Sequence, residues 1–254
     1  PDRSIKITGA KTNNINKIDI TIPLECICCI TGVSGSGKSS LIQNVVYPAL
    51  CHKIGLELRD PKNYEKISGF QFFKDVINVD QSSIGKTSRS NPVVYVGAFD
   101  EIRKLFASTE EAKKRNYLPS HFSFNTGQGR CPECMGNGFE RIEMQFLSDV
   151  FLSCEICNGM RFRKEILEIK LKNKSISDIL NFTVSEASNF FQEEKKIVKN
   201  LSSLLLVGLG YLKLGQALTT LSGGESQRLK IAAHLTKAQS TTKKVDTNNK
   251  KRSV

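Results

Sequence analysis

The stretch CICCITGVSGSGKSS, residues 26–40, constrains this chain more than any other. An apolar β-type run at 27–30 leads into Gly32-x-x-x-x-Gly37-Lys38-Ser39. Leu41, Val45 and Ala49 then recur on one helical face. Strand, glycine-rich loop and helix in that order are the context a phosphate-binding loop requires. Glycines let backbone N–H groups converge on phosphate oxygens without a Cβ in the way. The helix that follows turns its positive end toward the anion. The cradle would comprise Gly32, Val33, Ser34, Gly35, Ser36, Gly37, Lys38, Ser39 and Ser40. Lys38 would reach the β and γ phosphates of ATP, and the Ser39 hydroxyl would hold Mg²⁺. A Gly/Ser turn that merely precedes a helix would share the composition but not the complete motif in this setting.

Around this loop the sequence reads as the start of an α/β lobe. SIKITG (4–9) and NNINKIDITIP (13–23) have the spacing of strands, the second ending at Pro23. KDVINVDQSSIG (74–85) predicts a short strand through Val76, Ile77 and Val79, followed by Asp80 and Gln81. A Gln at the end of such a strand can reach a metal ion or an attacking water. An ordinary loop amide fits the position equally well.

Eight cysteines raise the question of disulfides. Four of them stand as Cys131-x2-Cys134-x19-Cys154-x2-Cys157, and the others, Cys26, Cys28, Cys29 and Cys51, lie in apolar surroundings. Two matched Cys-x-x-Cys pairs, with no export signal, indicate a reducing compartment and a closed tetrahedral Zn²⁺ site. Four thiolates leave no coordination position for a reacting water, so the metal would be a staple rather than a catalyst. Gly136 and Gly159 each follow a pair by two residues. There they allow a tight turn that aims backbone N–H groups at sulfur. The intervening ERIEMQFLSDVFLS alternates as a hairpin would. Arg130, Arg141, Arg161, Arg163 and Lys164 surround the pairs and are candidate contacts to nucleic-acid phosphates. A solvated basic face is the alternative.

Lys+Arg exceed Asp+Glu by 37 − 25 = 12, which suits a polyanionic partner. Residues 236–254 account for 6 − 1 = 5 of these charges, on a segment whose composition predicts disorder. No apolar run is long enough for a membrane span, and cytoplasmic residence is expected.

Two further segments predict helices. TVSEASNFFQEEKKIVKNLSSLLLVGLG (183–210) opens with a capping box, Thr183 and Glu186. It directs Leu201, Leu204 and Leu205 inward and is punctuated by Gly208 and Gly210. Leu221-Ser222-Gly223-Gly224-Glu225 opens another, with Ser222 and Glu225 as the box and Leu229, Ala232, Ala233 and Leu235 toward a core. A Ser-Gly-Gly helix start is also an anion site, since its N–H groups are free and the dipole is aligned.

A P-loop and this element together resemble the ATP-binding cassette ATPases, whose signature is Leu-Ser-Gly-Gly-Gln/Glu. Four stretches narrow the likeness: TGVSGSGKSSL, DQSSIGKTSRSNPVVYVGAFDEIRKLFA, FSFNTGQGRCPECMGNG and GLGYLKLGQALTTLSGGESQRLKIAAHL. In this order, with a zinc module between loop and signature, they resemble the second ATPase half of the UvrA family of the excinuclease ABC system, across residues 4–235. The resemblance implies an α/β P-loop ATPase lobe and a mainly helical signature domain with an inserted four-cysteine zinc-finger hairpin. It implies ATP, Mg²⁺ and Zn²⁺ as cofactors, with residues 32–40 and Gln81, the Q-loop residue, at the nucleotide. Leu221, Ser222, Gly223, Gly224 and Glu225 would act on ATP held by a second cassette or a homodimer partner. The zinc finger would help discriminate damaged from intact double-stranded DNA in nucleotide excision repair, and the DNA would pass to UvrB.

One part of the family pattern is missing. An apolar run followed by Asp-Glu is expected after the signature helix, yet residues 236–254 offer only Val245-Asp246. No catalytic residue is therefore assigned, and hydrolysis by this chain alone is not expected. The layout read from the sequence is an ATP-binding lobe at 1–84 and a signature domain at 85–220 with its finger at 131–157. The signature motif and helix follow at 221–235 and a tail at 236–254, as in a truncated copy or a fragment. Two other readings stay open. One is a UvrA-like ATPase paralogue of another task, such as drug resistance. The other is a non-enzymatic zinc-bearing binding module.

Overall fold

The structure, a computed structural model, describes residues 3–56, 59–60, 62–80, 82, 84, 89–142, 144 and 150–250, with backbone alone over 237–250. The chain divides into two units, Pro1–Asn78 and Val79–Val254. The boundary falls earlier than residue 84, where the sequence put the end of the lobe. Within the second unit, Lys230 of the signature helix donates from its Nζ to the Asp80 and Ser82 backbone carbonyls at 3.1 and 2.9 Å.

In the first unit, β1 (Ser4–Thr12) is the middle strand of an antiparallel sheet, flanked by β2 (Ile15–Pro23) and β3 (Lys66–Ser68). Ile5 and Ile7 alternate inward as a half-buried strand requires. An irregularity between Ile7 and Ala10 then shifts the pairing, so Ala10 also points to the core. The helical stretch after the loop begins at Lys38–Ser40, widens to a π-helix at Leu41–Val46 and continues as Tyr47–Lys53. Its buried Leu41, Val45 and Ala49 pack with Ile5, Ile7 and Ile67.

Two expected strands are not formed. Residues 27–30 belong to no strand, with Ile27 96% exposed, and 76–79 carry no ladder. A β-type run becomes a strand only when a neighbour accepts its backbone hydrogen bonds, and no described residue does so here. Cys26, Cys28 and Cys29 are consequently exposed rather than embedded in apolar surroundings, whereas Cys51 is buried.

The second unit is mainly helical around a core of phenylalanines. Phe99, Ile102 and Phe106 fall on one face of the helix Phe99–Ser108 and are buried. Phe106 meets Phe122 at 5.5 Å between ring centroids, Phe99 meets Phe124 at 5.1 Å, and Phe124 meets Phe162 edge-on at 6.2 Å. Each such ring contributes about 1.5–3 kcal/mol on burial, so the aromatic chain is a principal source of cohesion in this unit. The Thr183 box forms as expected: Glu186 N–H donates to Thr183 Oγ1 at 3.2 Å, and Thr183 N–H donates back to Glu186 Oε2 at 2.8 Å. Leu201 and Leu204 are buried, but Leu205 is 37% exposed, contrary to the sequence reading.

The signature helix is Gly223–Lys250. It continues well past residue 235, and the segment read as a disordered tail is helical through Lys250. No Gly or Pro interrupts the sequence after Gly224, so nothing in the chain chemistry stops the helix. Leu229 and Ala232 are buried, while Leu235 is 37% exposed and does not face the core as expected. No helix among the described residues is long and apolar enough to cross a membrane.

Candidate functional site

The glycine loop is held from outside its own sequence. Asn14 Nδ2 donates to the Gly35 carbonyl at 2.8 Å and Asn13 Nδ2 to Ser40 Oγ at 3.1 Å. Gly37 takes φ +92, and a Cβ there would meet Asn14 Oδ1 at 2.9 Å. These constraints shape an open loop that launches the helix at Lys38. The Lys38 ammonium lies over the loop, donating to the Gly32 and Val33 carbonyls at 2.8 and 2.7 Å. An incoming phosphate would replace those carbonyls as its partner. Ser34, Ser36 and Ser39 are exposed. Gln81 lies outside the described residues.

Four sulfurs converge in the second unit. The Sγ atoms of Cys131, Cys134, Cys154 and Cys157 lie within 4.8 Å of one another, all buried. Cys131 to Cys154 is 3.9 Å and Cys134 to Cys157 is 3.7 Å. Sulfurs bound to one Zn²⁺ at about 2.3 Å stand about 3.8 Å apart at tetrahedral corners. The donor set therefore fits zinc in number, chemistry and spacing. Burial pushes the Cys157 thiol up to about 12 and raises Cys131 as well. A cation that displaces these protons is what would make the buried sulfurs anionic.

Gly136 and Gly159 both take positive φ, +84 and +77, in the tight knuckle turns. Gly138 donates its N–H to Cys134 Sγ at 3.2 Å. Gly136 takes φ +84, and a Cβ on it would stand 1.9 Å from the Phe124 carbonyl oxygen. Its role is close approach of the knuckle to the phenylalanine core. The hairpin forms as β4 (Phe139–Ile142) and β5 (Val150–Ser153), with Arg141 opposite Phe151.

At the signature helix the capping box is complete. Glu225 N–H donates to Ser222 Oγ at 3.3 Å, and Ser222 N–H donates to Glu225 Oε2 at 2.8 Å. Tyr211 Oη donates to Glu225 Oε1 at 2.6 Å, and Arg228 Nη2 donates to Tyr211 Oη at 3.2 Å. The Tyr211 hydroxyl, then the Ser222 amide, hold the Glu225 carboxyl below its ordinary range. A Cβ on Gly224 would meet nothing within 4 Å. The fold of this chain therefore leaves space for a side chain there.

The five basic candidates separate by geometry. Arg141, Arg163 and Lys164 are exposed. Arg130 is half-buried and donates to the Asn125 carbonyl at 3.0 Å. Arg161 does not stand on an open face as the sequence suggested. Its guanidinium lies 5.3 Å from the Phe124 ring centroid and donates to the Gly215 carbonyl at 3.0 Å.

No protein-family model matches the chain. Curated relatives do. Over 236 residues, 93% of this chain, the sequence is 50% identical to UvrABC system protein A of Staphylococcus epidermidis. It is 51% identical over the same length to UvrABC system protein A of Staphylococcus aureus. The chain matches part of UvrABC system protein A. It spans about a quarter of the length of these relatives, 25% in each case. Among solved structures, UvrA2 from Deinococcus radiodurans has a TM-score of 0.83 and 42% identity, over 92% of this chain and 28% of that one. The mixture of helices and strands and the cysteine cluster agree with that likeness.

Several groups at these sites were not singled out from the sequence. Asn13 and Asn14 read only as a polar turn before a strand. Tyr211 stands 14 residues from Glu225, and Lys230 stands 150 residues from Asp80. No local pattern signals pairs at such separations. The Asp80–Lys230 ion pair, together with Ser82, holds the Asp80 carboxyl down to about 2.

Proposed function

We propose that this chain is the nucleotide- and DNA-binding part of a UvrABC nucleotide excision repair protein. The 236-residue match to UvrABC system protein A carries this reading. The open glycine loop, the four-sulfur cluster and the capped Ser-Gly-Gly helix support it, since each suits a separate task.

Residues 32–40 bind ATP, with Lys38 on the phosphates and Ser39 on Mg²⁺. Gln81 serves the same nucleotide. Leu221, Ser222, Gly223, Gly224 and Glu225 act on ATP held by a second cassette: the capping box ties the Ser222 and Glu225 N–H groups, and the bare Gly223-Gly224 backbone faces the nucleotide. Tyr211 and Arg228 fix Glu225, and with it the first turn. Zn²⁺ at Cys131, Cys134, Cys154 and Cys157 supplies a structural tether, and the knuckles present Arg141, Arg163 and Lys164 to the DNA backbone. Phosphate contacts position a protein on a duplex without reading bases, which suits a sensor of distortion rather than of sequence. UvrB is the further partner.

A fluorescent ATP analogue titrated into the purified chain tests the nucleotide half. The intact chain binds it, and Lys38→Ala weakens binding at least about tenfold through loss of a charge-assisted phosphate contact. Equal affinity for both would mean that the loop is only a turn.

A further inference from the structure

A small pocket in the second unit lies where the zinc knuckle meets the run leading to the signature helix. Its volume is about 200 Å³, and its polar lining is Arg161, Ser177, Asn181, Lys213 and Gln216. Leu180, Gly159 and Gly215 complete the wall, and only Leu180 of these brings a side chain, an apolar one. Two cations, two amides and a hydroxyl line this space, and no carboxylate does.

Neither cation forms an ion pair with a carboxylate among the described residues, although the Arg161 guanidinium also packs against the Phe124 ring. Among the described residues the Arg161 side chain makes one hydrogen bond, to the Gly215 carbonyl at 3.0 Å. A guanidinium carries five N–H donors in a fixed fork, so most of its capacity remains for a ligand. Its backbone is left-handed, φ +70, a costly conformation for a bulky residue. Lys213 makes no side-chain hydrogen bond or ion pair among the described residues. The one carboxylate its charge acts on, Glu186, is bound to Thr183 Oγ1 and N.

We infer that this pocket is a single-phosphate subsite, with Arg161 and Lys213 as its cationic jaws. An Arg fork beside a Lys point charge suits a tetrahedral oxyanion. Small-molecule sites run to about 300–1,000 Å³. A space this size takes one phosphate group. The source is either a backbone phosphodiester of bound nucleic acid or free inorganic phosphate. In the first case the inference deepens the DNA-binding reading proposed above and rests on it. A phosphate there would touch both Arg161, four residues after Cys157, and Lys213, nine residues before Ser222. It would link the metal module to the signature helix within one unit.

The test uses the full zinc-loaded chain carrying Lys38→Ala, to suppress phosphate binding at the glycine loop. Inorganic phosphate is titrated while amide resonances are followed residue by residue. The expected result is saturable shifts at Gly159, Lys213 and Gly215, weakened at least tenfold by Lys213→Glu with zinc content unchanged. Gln216→Glu, which places a carboxylate in the wall, should act in the same direction. In parallel, the affinity of the chain for a short duplex is measured with and without Lys213→Glu. A weaker duplex affinity with a salt slope reduced by about one assigns the phosphate to the backbone. Phosphate shifts with unchanged duplex affinity assign the pocket to the free ion. If phosphate moves no pocket resonance and Lys213→Glu leaves duplex binding unchanged, the subsite is overturned, and Arg161 is only a counter-charge to the thiolates. A chain that binds no duplex but still shows the phosphate shifts would sink the DNA reading and leave the pocket standing.

Discussion

Gly136 and Gly224 show how the same residue type answers different demands. At Gly136 the backbone is left-handed and a Cβ would press on the Phe124 carbonyl. Gly136→Ala should therefore destabilise the chain by more than about 1 kcal/mol, since Ala at positive φ is strained even before the clash. Denaturant titration with metal analysis checks this, and an unchanged midpoint would remove the close approach from the account. Asp80 offers a second residue-scale test. Its carboxyl is held at about 2 against an ordinary value of 3.8, through Lys230 and Ser82. The stabilisation from that pair is complete above about pH 4 and is lost as pH falls toward 2. A carboxyl-carbon titration should show Asp80 still charged at pH 3. In Lys230→Met its midpoint should return toward the ordinary range. An ordinary midpoint in the unsubstituted chain would contradict the tie.

At the scale of elements, the capping box carries the signature helix. Removing the Ser222 hydroxyl by Ser222→Ala should cost about 0.5–2 kcal/mol of stability. Gly224→Ala should cost nothing in stability, because its Cβ meets open space and Ala is the better helix former. If Gly224→Ala is destabilising by thermal melting, the glycine serves this fold rather than an outside ligand. Elements whose signals are local were legible in the sequence. β1 and β2, the helix face of Leu41, Val45 and Ala49, and both capping boxes follow from spacing alone. Elements that depend on a distant partner were not. The 27–30 run has every residue preference of a strand but no neighbour among the described residues to pair with. β3 is three residues long and exists through its pairing with β1, too short to show a period. The helix beyond residue 235 was missed for the opposite reason. Its polar composition suggested a solvated tail, yet no breaker ends the helix that enters it.

At the scale of the molecule, the glycine loop lies in one unit, and the four-cysteine cluster and the Ser-Gly-Gly helix start lie in the other. The four thiol sites could be read from the sequence because zinc imposes its own spacing on the chain, and the sulfurs do converge. Which basic side chains stay open could not be read, because burial of Arg161 depends on Phe124 and Gly215, 37 and 54 residues away. The likeness to UvrABC system protein A makes damage recognition the central claim. It is tested most directly by fluorescence anisotropy with two duplexes of identical sequence, one carrying a single bulky adduct, mixed with the zinc-loaded chain and an ATP analogue. The account predicts tighter binding to the adducted duplex, with affinity for both falling steeply as salt rises. Equal affinity for the two duplexes, or binding indifferent to salt, would contradict it.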